Sequence, residues 1–296
     1  MCFYLLLRAF TSFALDVEGR LIGWGRNDVF QLGIGHKEQM NDPVFVGLED
    51  IERVFCGQSH FFALNKDGEL FGWGDNRYGQ LGIGDKQNQS FPVQVPIENV
   101  KDISCGNWFT IVLQHDGTIL SFGNNKLYGL GLGNREDFDK YHRIYYLTEY
   151  RPQVVPLEEV IQIDTGYMHA IALTKNREVY SWGYGEQGQL GYGLSINQSI
   201  PRKVDSIENI ILIFCTSENS YALSHDGVLF GWGNNSYGQL GNVKSTNIPI
   251  SLIELPSSIF LPDLNIPVQS YYKAVQDIFA EMNGTDLELL FKVLFL

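Results

Sequence analysis

The sequence predicts an all-β protein, a β-propeller of antiparallel four-stranded blades with a short C-terminal helix and strand. Three observations carry this. An aromatic–Gly pair recurs five times, at intervals of 49, 49, 60 and 50 residues. Short apolar runs flank each pair and are broken by turn residues at fixed offsets. Glycine is abundant, 31 of 296 residues, and it shares that period. Units of this length with several short strands match a propeller blade, which buries both faces only by stacking on its neighbours. The glycine density and the lack of long stretches with a 3.6-residue period exclude an α-solenoid.

The anchors are Trp24, Trp73, Phe122, Trp182 and Trp232, each followed by Gly. Five residues before them stand Gly19, Gly68, Gly117, Arg177 and Gly227. Eight and nine residues after them comes a Leu–Gly pair, from Leu32–Gly33 to Leu240–Gly241, and Pro43, Pro92, Pro152, Pro201 and Pro249 follow. In the second unit Phe61–Asn65 forms one strand and Glu69–Trp73 the next, joined by Lys66, Asp67 and Gly68. Asp–Gly between apolar runs specifies a tight hairpin, because the turn needs a positive φ that Gly adopts freely. Asp116–Gly117 and Asp226–Gly227 repeat it, and Glu18–Gly19 is a near variant. The fourth unit has Asn176–Arg177 instead, which predicts a larger loop or an Asn in the left-handed region. A further strand precedes each hairpin, as in Val54–Cys56 and Ile103–Cys105, with Leu5, Leu6 and Leu7 in phase for the first unit. Gly23, Gly72, Ser121, Ser181 and Gly231 stand before the anchors. Such small residues let a broad ring pack against nearby backbone, with the indole N–H in need of an acceptor.

The period is too long for WD repeats, no Trp–Asp dipeptide occurs, and no Gly–Gly doublet of the kelch type is present. The motif D-G-x(4)-W-G-x-N-x(2)-G-Q-L-G, found from Asp67 to Gly82 and from Asp226 to Gly241, resembles the regulator of chromosome condensation repeat family. The resemblance spans about residues 3–255 and implies a seven-bladed propeller. Five copies therefore predict a fragment of a longer chain, an open ring, or closure with fewer blades; the fragment is favoured. Residues 1–255 are assigned to the propeller and 256–267, with Pro256, Pro262 and Pro267, to a linker. Within 268–296, Val268, Tyr271, Tyr272, Val275, Ile278, Phe279 and Met282 share a helical face, Asn283–Gly284 stops the helix, and an apolar strand follows. This tail resembles the opening of a BTB domain; the alternative is a helix and strand that cap the propeller edge.

The formal charge is −13, from 21 Lys and Arg against 34 Asp and Glu, with no segregated basic patch, so direct contact with nucleic acid or anionic membrane is not expected. No apolar run reaches the length of a membrane helix. Cys2, Cys56, Cys105 and Cys215 make a poor disulfide framework and fit reduced thiols in a cytosolic or nuclear setting. His60 and His169 share one repeat position, as do Cys56, Cys105 and Cys215, so they read as buried structural groups and no metal or cofactor is expected. Gly129, Gly131 and Gly133 belong to the repeat rather than to a phosphate loop. No nucleophile elbow, zincin helix or calcium loop occurs, which argues against an enzyme.

The third unit is the exception to the regular spacing. An insertion of about 11 residues, judged from the 60-residue interval, lies between Gly133 and Pro152. Tyr141, His142, Arg143, Tyr145, Tyr146 and Tyr150 there are the candidate partner-binding residues, since Tyr and Arg are favoured interface anchors. The leading functional expectation is a non-enzymatic protein-interaction scaffold. The family resemblance implies guanine nucleotide exchange on a small GTPase as the second, that being the founding member's activity on Ran; no exchange residues are matched to positions here. The BTB resemblance implies a third, a substrate adaptor that binds a ubiquitin-ligase component.

Overall fold

Each repeat closes into one antiparallel four-stranded sheet, whose first three strands are joined by links too short to reach past the adjacent strand. The computed structural model describes residues 4–254 apart from 9, 134–135, 139–143, 147 and 242–243; for 4–8, 136–138 and 144–146 it describes the backbone alone. The linker, helix, strand and BTB resemblance expected within 256–296 lie outside the described residues.

Blade 1 comprises β1 (Tyr4–Arg8), β2 (Thr11–Leu15), β3 (Leu21–Gly25) and β4 (Met40–Phe45). Blade 2 comprises β5 (Ile51–Cys56), β6 (His60–Asn65), β7 (Leu70–Gly74) and β8 (Gln89–Val95). Blade 3 comprises β9 (Val100–Cys105), β10 (Phe109–Gln114), β11 (Ile119–Gly123) and β14 (Glu149–Val154). Between its last two strands it carries a separate hairpin, β12 (Glu136–Phe138) and β13 (Ile144–Tyr146). Blade 4 comprises β15 (Val160–Thr165), β16 (His169–Thr174), β17 (Val179–Gly183) and β18 (Gln198–Lys203). Blade 5 comprises β19 (Ile210–Cys215), β20 (Asn219–Ser224), β21 (Val228–Gly233) and β22 (Thr246–Glu254). The strand expected at Leu5–Leu7 is β1, in phase with the rest.

First strands of successive blades touch one another, so they lie innermost and the fourth strands form the rim. Pro43, Pro92, Pro152, Pro201 and Pro249 all fall in rim strands, where a missing N–H costs no ladder bond. Second strands β6 and β16 are buried at every position, because a neighbouring sheet covers each face, and β20 of the last described blade is equally buried. Strand β2 instead alternates buried and half-buried, since no blade precedes it among the described residues.

The hairpin turns follow one design. In blade 2, Gly68 N–H donates to Asn65 O at 3.1 Å and Asn65 N–H to Glu69 O at 3.1 Å, with Gly68 at φ 80°. This is a type I turn followed by a left-handed residue. The fourth blade corrects the sequence expectation. Its loop is no larger and Asn176 is not the left-handed residue; Arg177 itself takes φ 62° and makes the same bonds to Thr174. A non-Gly residue there costs about 1 kcal/mol, which flanking strand pairing outweighs.

Blades interlock through the anchors. A Cβ added to Gly33 would lie 2.9 Å from the Trp73 ring, on Gly82 2.9 Å from Phe122, on Gly131 2.7 Å from Trp182 and on Gly191 2.9 Å from Trp232. The glycine of each Leu–Gly pair is thus the seat for the next blade's aromatic ring. Each indole then finds an acceptor in the blade before it: Trp73 donates to Gln31 O at 2.7 Å, Trp182 to Gly129 O at 3.0 Å and Trp232 to Gln189 O at 2.8 Å. Trp73, Phe122, Trp182 and Trp232 are fully buried, whereas Trp24 is half-buried.

Inward of the seat, the partners match in polarity. His60 meets Thr110 at 3.0 Å and His169 meets Ser220 at 2.9 Å across two interfaces. At the blade 3–4 interface the same positions hold Phe109 and Ala170 in one apolar cluster. A ring at this position requires glycine three residues earlier: a Cβ on Gly57, Gly106 or Gly166 would come within 2.4, 2.0 or 2.2 Å of His60, Phe109 or His169. His169 is wholly buried, and burial lowers its pKa from 6.5 to about 3.

Two predictions follow from these contacts. Gly131→Ala adds a clash to a left-handed backbone and should lower the unfolding free energy by about 3 kcal/mol, against about 1 kcal/mol for Gly241→Ala, which meets nothing within 4 Å; denaturant midpoints measure both. Because the folded pKa of His169 lies below its unfolded value, protons favour the unfolded chain as pH falls from 6.5 towards 3. Between neutral pH and pH 5 this should cost about 2 kcal/mol of stability, and His169→Gln should flatten that part of the stability–pH curve.

Candidate functional site

Alternation of strand direction sorts the connections onto two ends of the blades. The links between first and second strands and between third and fourth strands emerge on one end, here called the loop face. The Asp–Gly turns and the interblade links emerge on the other, the turn face. Strands β12 and β13, in the insertion of blade 3, therefore lie on the loop face.

Of the sequence-predicted binding residues, Tyr141, His142 and Arg143 lie outside the described residues. Tyr145 and Tyr146 belong to β13, paired with Asp137 and Glu136. Tyr150 belongs to the blade itself, on rim strand β14, where it is 44% exposed. It is held by the preceding blade: Gly84 N–H donates to Tyr150 O at 2.9 Å, and the Lys86 ammonium sits 5.6 Å from its ring. Lys86 also donates to Thr148, which ties the base of the insertion to blade 2.

Sequence reasoning missed the aromatic group beside that insertion. Tyr78 of blade 2, Trp108 of blade 3 and Tyr167 of blade 4 form a continuous run on the loop face, with ring centroids 5.6 and 6.4 Å apart. Tyr167 is 42% exposed, and Tyr78 and Trp108 are half-buried. Backbone bonds fix the spacing: Asn107 N–H donates to Tyr167 O at 3.0 Å, and Tyr167 N–H to Ser217 O at 2.8 Å. Asn107 is 2% exposed, and neither end of its amide has a hydrogen-bond partner among the described residues. The available signal was phase. Four tryptophans are repeat anchors, and Trp108 stands where the other units carry Phe10, Ser59, Met168 and Glu218.

The axial side is polar but committed to holding blades together. Arg53 donates to Lys101 O and pairs with Asp102, each at 2.6 Å, and Lys101 Nζ donates to Ile161 O at 2.9 Å. Gln162 exchanges two bonds with the Ile213 backbone. The Asp164 carboxylate accepts Ser104 Oγ at 3.0 Å and Cys215 N–H at 2.6 Å, and so spans three blades. A groove of about 310 Å³ lies over these strands.

Cys215 Sγ stands 3.4 Å from His169 Nε2, the spacing of a nucleophile and its base. Desolvation favours the neutral form of each. It pushes the thiol well up, aided by the Asp164 charge, and the imidazole down to about 3, so both stay neutral and neither a thiolate nor an imidazolium forms. Among the described residues no three His, Cys, Asp or Glu side chains converge as metal ligands. On the turn face, Asp67, Glu69 and Glu98 border a groove of about 870 Å³ between blades 2 and 3.

Comparison with known proteins agrees with this architecture. The mouse regulator of chromosome condensation is 35% identical over 66 residues, which are 21% of this chain and 16% of that protein. The ultraviolet-B receptor UVR8 of Arabidopsis thaliana is 34% identical over 50 residues, 17% of this chain and 11% of the receptor, so each match spans a small part of the relative. The crystal structure of Prp20p from Saccharomyces cerevisiae, described with its binding to Gsp1p and histones, superposes with a TM-score of 0.71 at 18% identity over 93% of this chain and 72% of that one. The profile of the regulator of chromosome condensation (RCC1) repeat matches residues 18–64, 67–113, 116–173, 178–223 and 226–270. Five in-phase repeats, interlocked ring on glycine, place this chain in the RCC1 repeat family.

Proposed function

We propose that the chain is a non-enzymatic scaffold that takes a protein partner on its loop face, centred on Trp108. The observation that carries this is the Tyr78–Trp108–Tyr167 run, because the repeat has no structural need for an aromatic at Trp108. Amphipathic rings held on a rigid frame give contact area at low entropic cost. The buried Asn107 amide beside them offers a donor and an acceptor to polar groups of a partner. The β12–β13 hairpin, carrying Tyr145 and Tyr146, extends the same face.

A finer reading is guanine nucleotide exchange on a small GTPase. Family membership favours it, through the activity the resemblance implies and through the binding of Prp20p to Gsp1p. The adaptor reading, with a ubiquitin-ligase component as partner, rests on residues 268–296 and is tested by partner identity alone.

Trp108→Ala, with Tyr167→Ala as companion, should weaken partner capture from cell extract by about 30-fold, on the order of 2 kcal/mol, while the thermal midpoint stays near that of wild type. Deletion of 136–148 should weaken it less. Unchanged capture by a folded Trp108→Ala protein would move the site elsewhere. Exchange is read separately, as release of labelled guanine nucleotide from a panel of purified small GTPases. About tenfold acceleration that Trp108→Ala removes supports it, and no acceleration across the panel excludes exchange without touching the scaffold reading.

A further inference from the structure

On the turn face every interblade link carries a glutamate, at Glu49, Glu98, Glu158 and Glu208. Two further positions supply a lysine beside these links at three of the four interfaces. The first is the turn residue whose backbone N–H donates to the link: Lys66 to Asp50 O and Lys175 to Glu159 O. Lys66 also pairs with the Asp50 carboxylate at 3.0 Å. The second is a rim-strand residue, Lys203, which pairs with Glu178 at 2.7 Å between blades 4 and 5. Between blades 2 and 3 neither position holds a lysine. His115 makes the backbone bond to Asn99 O, and Gln94, opposite Phe71 as Lys203 is opposite Tyr180, stands on the rim strand.

The carboxylates of this one interface are therefore left without a cation. Glu69, the counterpart of Glu178, is met by amides, Asn65 Nδ2 at 2.9 Å and Gln94 Nε2 at 3.4 Å. Neither the Asp67 nor the Glu98 carboxylate has a hydrogen bond or ion pair among the described residues, and all three acids are exposed. They border the groove of about 870 Å³ on the turn face, which no Lys or Arg lines. Its walls are apolar: Pro96 is exposed and Leu120 and Pro152 are half-buried, over buried Leu70, Val95 and Ile97. A concave surface with apolar walls and charge of one sign focuses its field on the space it encloses.

We infer that this groove takes a basic, amphipathic peptide segment of a partner protein. Its Lys or Arg side chains pair with Asp67, Glu69 and Glu98, and an aliphatic side chain between them packs on Pro96, Leu120 and Pro152. Charge selects this occupant. An acidic or phosphorylated segment meets like charge with no cation to offset it, and a neutral apolar segment desolvates the acids without pairing them. The groove and Trp108 lie on opposite faces, so this site is independent of the loop-face site and both can be filled together.

The test is fluorescence anisotropy of a labelled short peptide that alternates lysine with leucine, titrated with the whole chain. Saturable binding that weakens as salt rises is expected. Glu98→Lys should raise the dissociation constant at least about tenfold, and Glu98→Gln should raise it by less. Glu208→Lys makes the same change of charge at the matching exposed position of the blade 4–5 link, and should alter it by less than about twofold. Peptides with glutamate in place of lysine, or glycine in place of leucine, should bind at least about tenfold more weakly. A lysine–leucine peptide that does not bind overturns the inference. So does equal weakening by Glu98→Lys and Glu208→Lys, the mark of general attraction to an acidic chain, or a control peptide that binds as tightly.

Discussion

The fold depends on one contact, an aromatic ring of each blade lying on a bare glycine backbone of the blade before it. The seat works only without a Cβ, and at Gly33, Gly82, Gly131 and Gly191 the backbone also holds a positive φ. Two unrelated demands therefore select the same residue. Because the indole donates to a carbonyl at the base of that seat, apolar burial and hydrogen bonding fix the same geometry. Phe122 shows which of the two is indispensable. It has no N–H to donate, yet it is fully buried on Gly82, and Thr110 Oγ1 takes the Gln80 carbonyl instead, at 2.7 Å. Packing sets the joint, and the polar bond is filled by whichever neighbour supplies a donor.

This contact explains why one group of conspicuous side chains is held in its neutral forms. His169, Cys215, Ser220 and Asp164 stand close together, with the nucleophile, base and carboxylate types that a hydrolase uses. In the blade interface His169 and Ser220 are buried and Cys215 and Asp164 half-buried, and desolvation favours the neutral forms of the thiol and the imidazole. Asp164 is spent on the Ser104 hydroxyl and the Thr165 and Cys215 backbone amides. The cluster is a rivet between blades 3, 4 and 5.

What could be read from the sequence follows from what repeats. The seat, the anchor rings, the turn glycines and the rim prolines recur at fixed offsets because every interface imposes the same sterics. That is why five blades and the phase of β1 were legible. The insertion was legible too, as a break in that period, although Tyr150 proved to be part of the blade. Arg177 was not legible, because its left-handed φ is imposed by strands on either side rather than preferred by the residue itself. The pairing of His60 with Thr110, and of Phe109 with Ala170, was written in the sequence but at matched positions in successive units. It becomes readable only once the geometry shows which side of a blade each residue faces.

The proposed function lies where the period fails. A residue bound by the interlock is constrained by two blades at once, whereas a loop-face residue answers to neither and is free to serve a partner. Trp108 is the clearest case, an aromatic with no counterpart ring in units 2, 4 or 5 at its position, held in line by neighbours that differ from unit to unit. The same reasoning separates the two exposed aromatics at the ends of the arc from the central run. Phe10 and Tyr237 occupy the positions of Trp108 and Tyr78, and no blade adjoins either of them among the described residues. Trp108 and Tyr167 have blades on both sides and still present ring surface to solvent. Exposure that persists after every interface is satisfied is what supports the proposal of a partner site at Trp108.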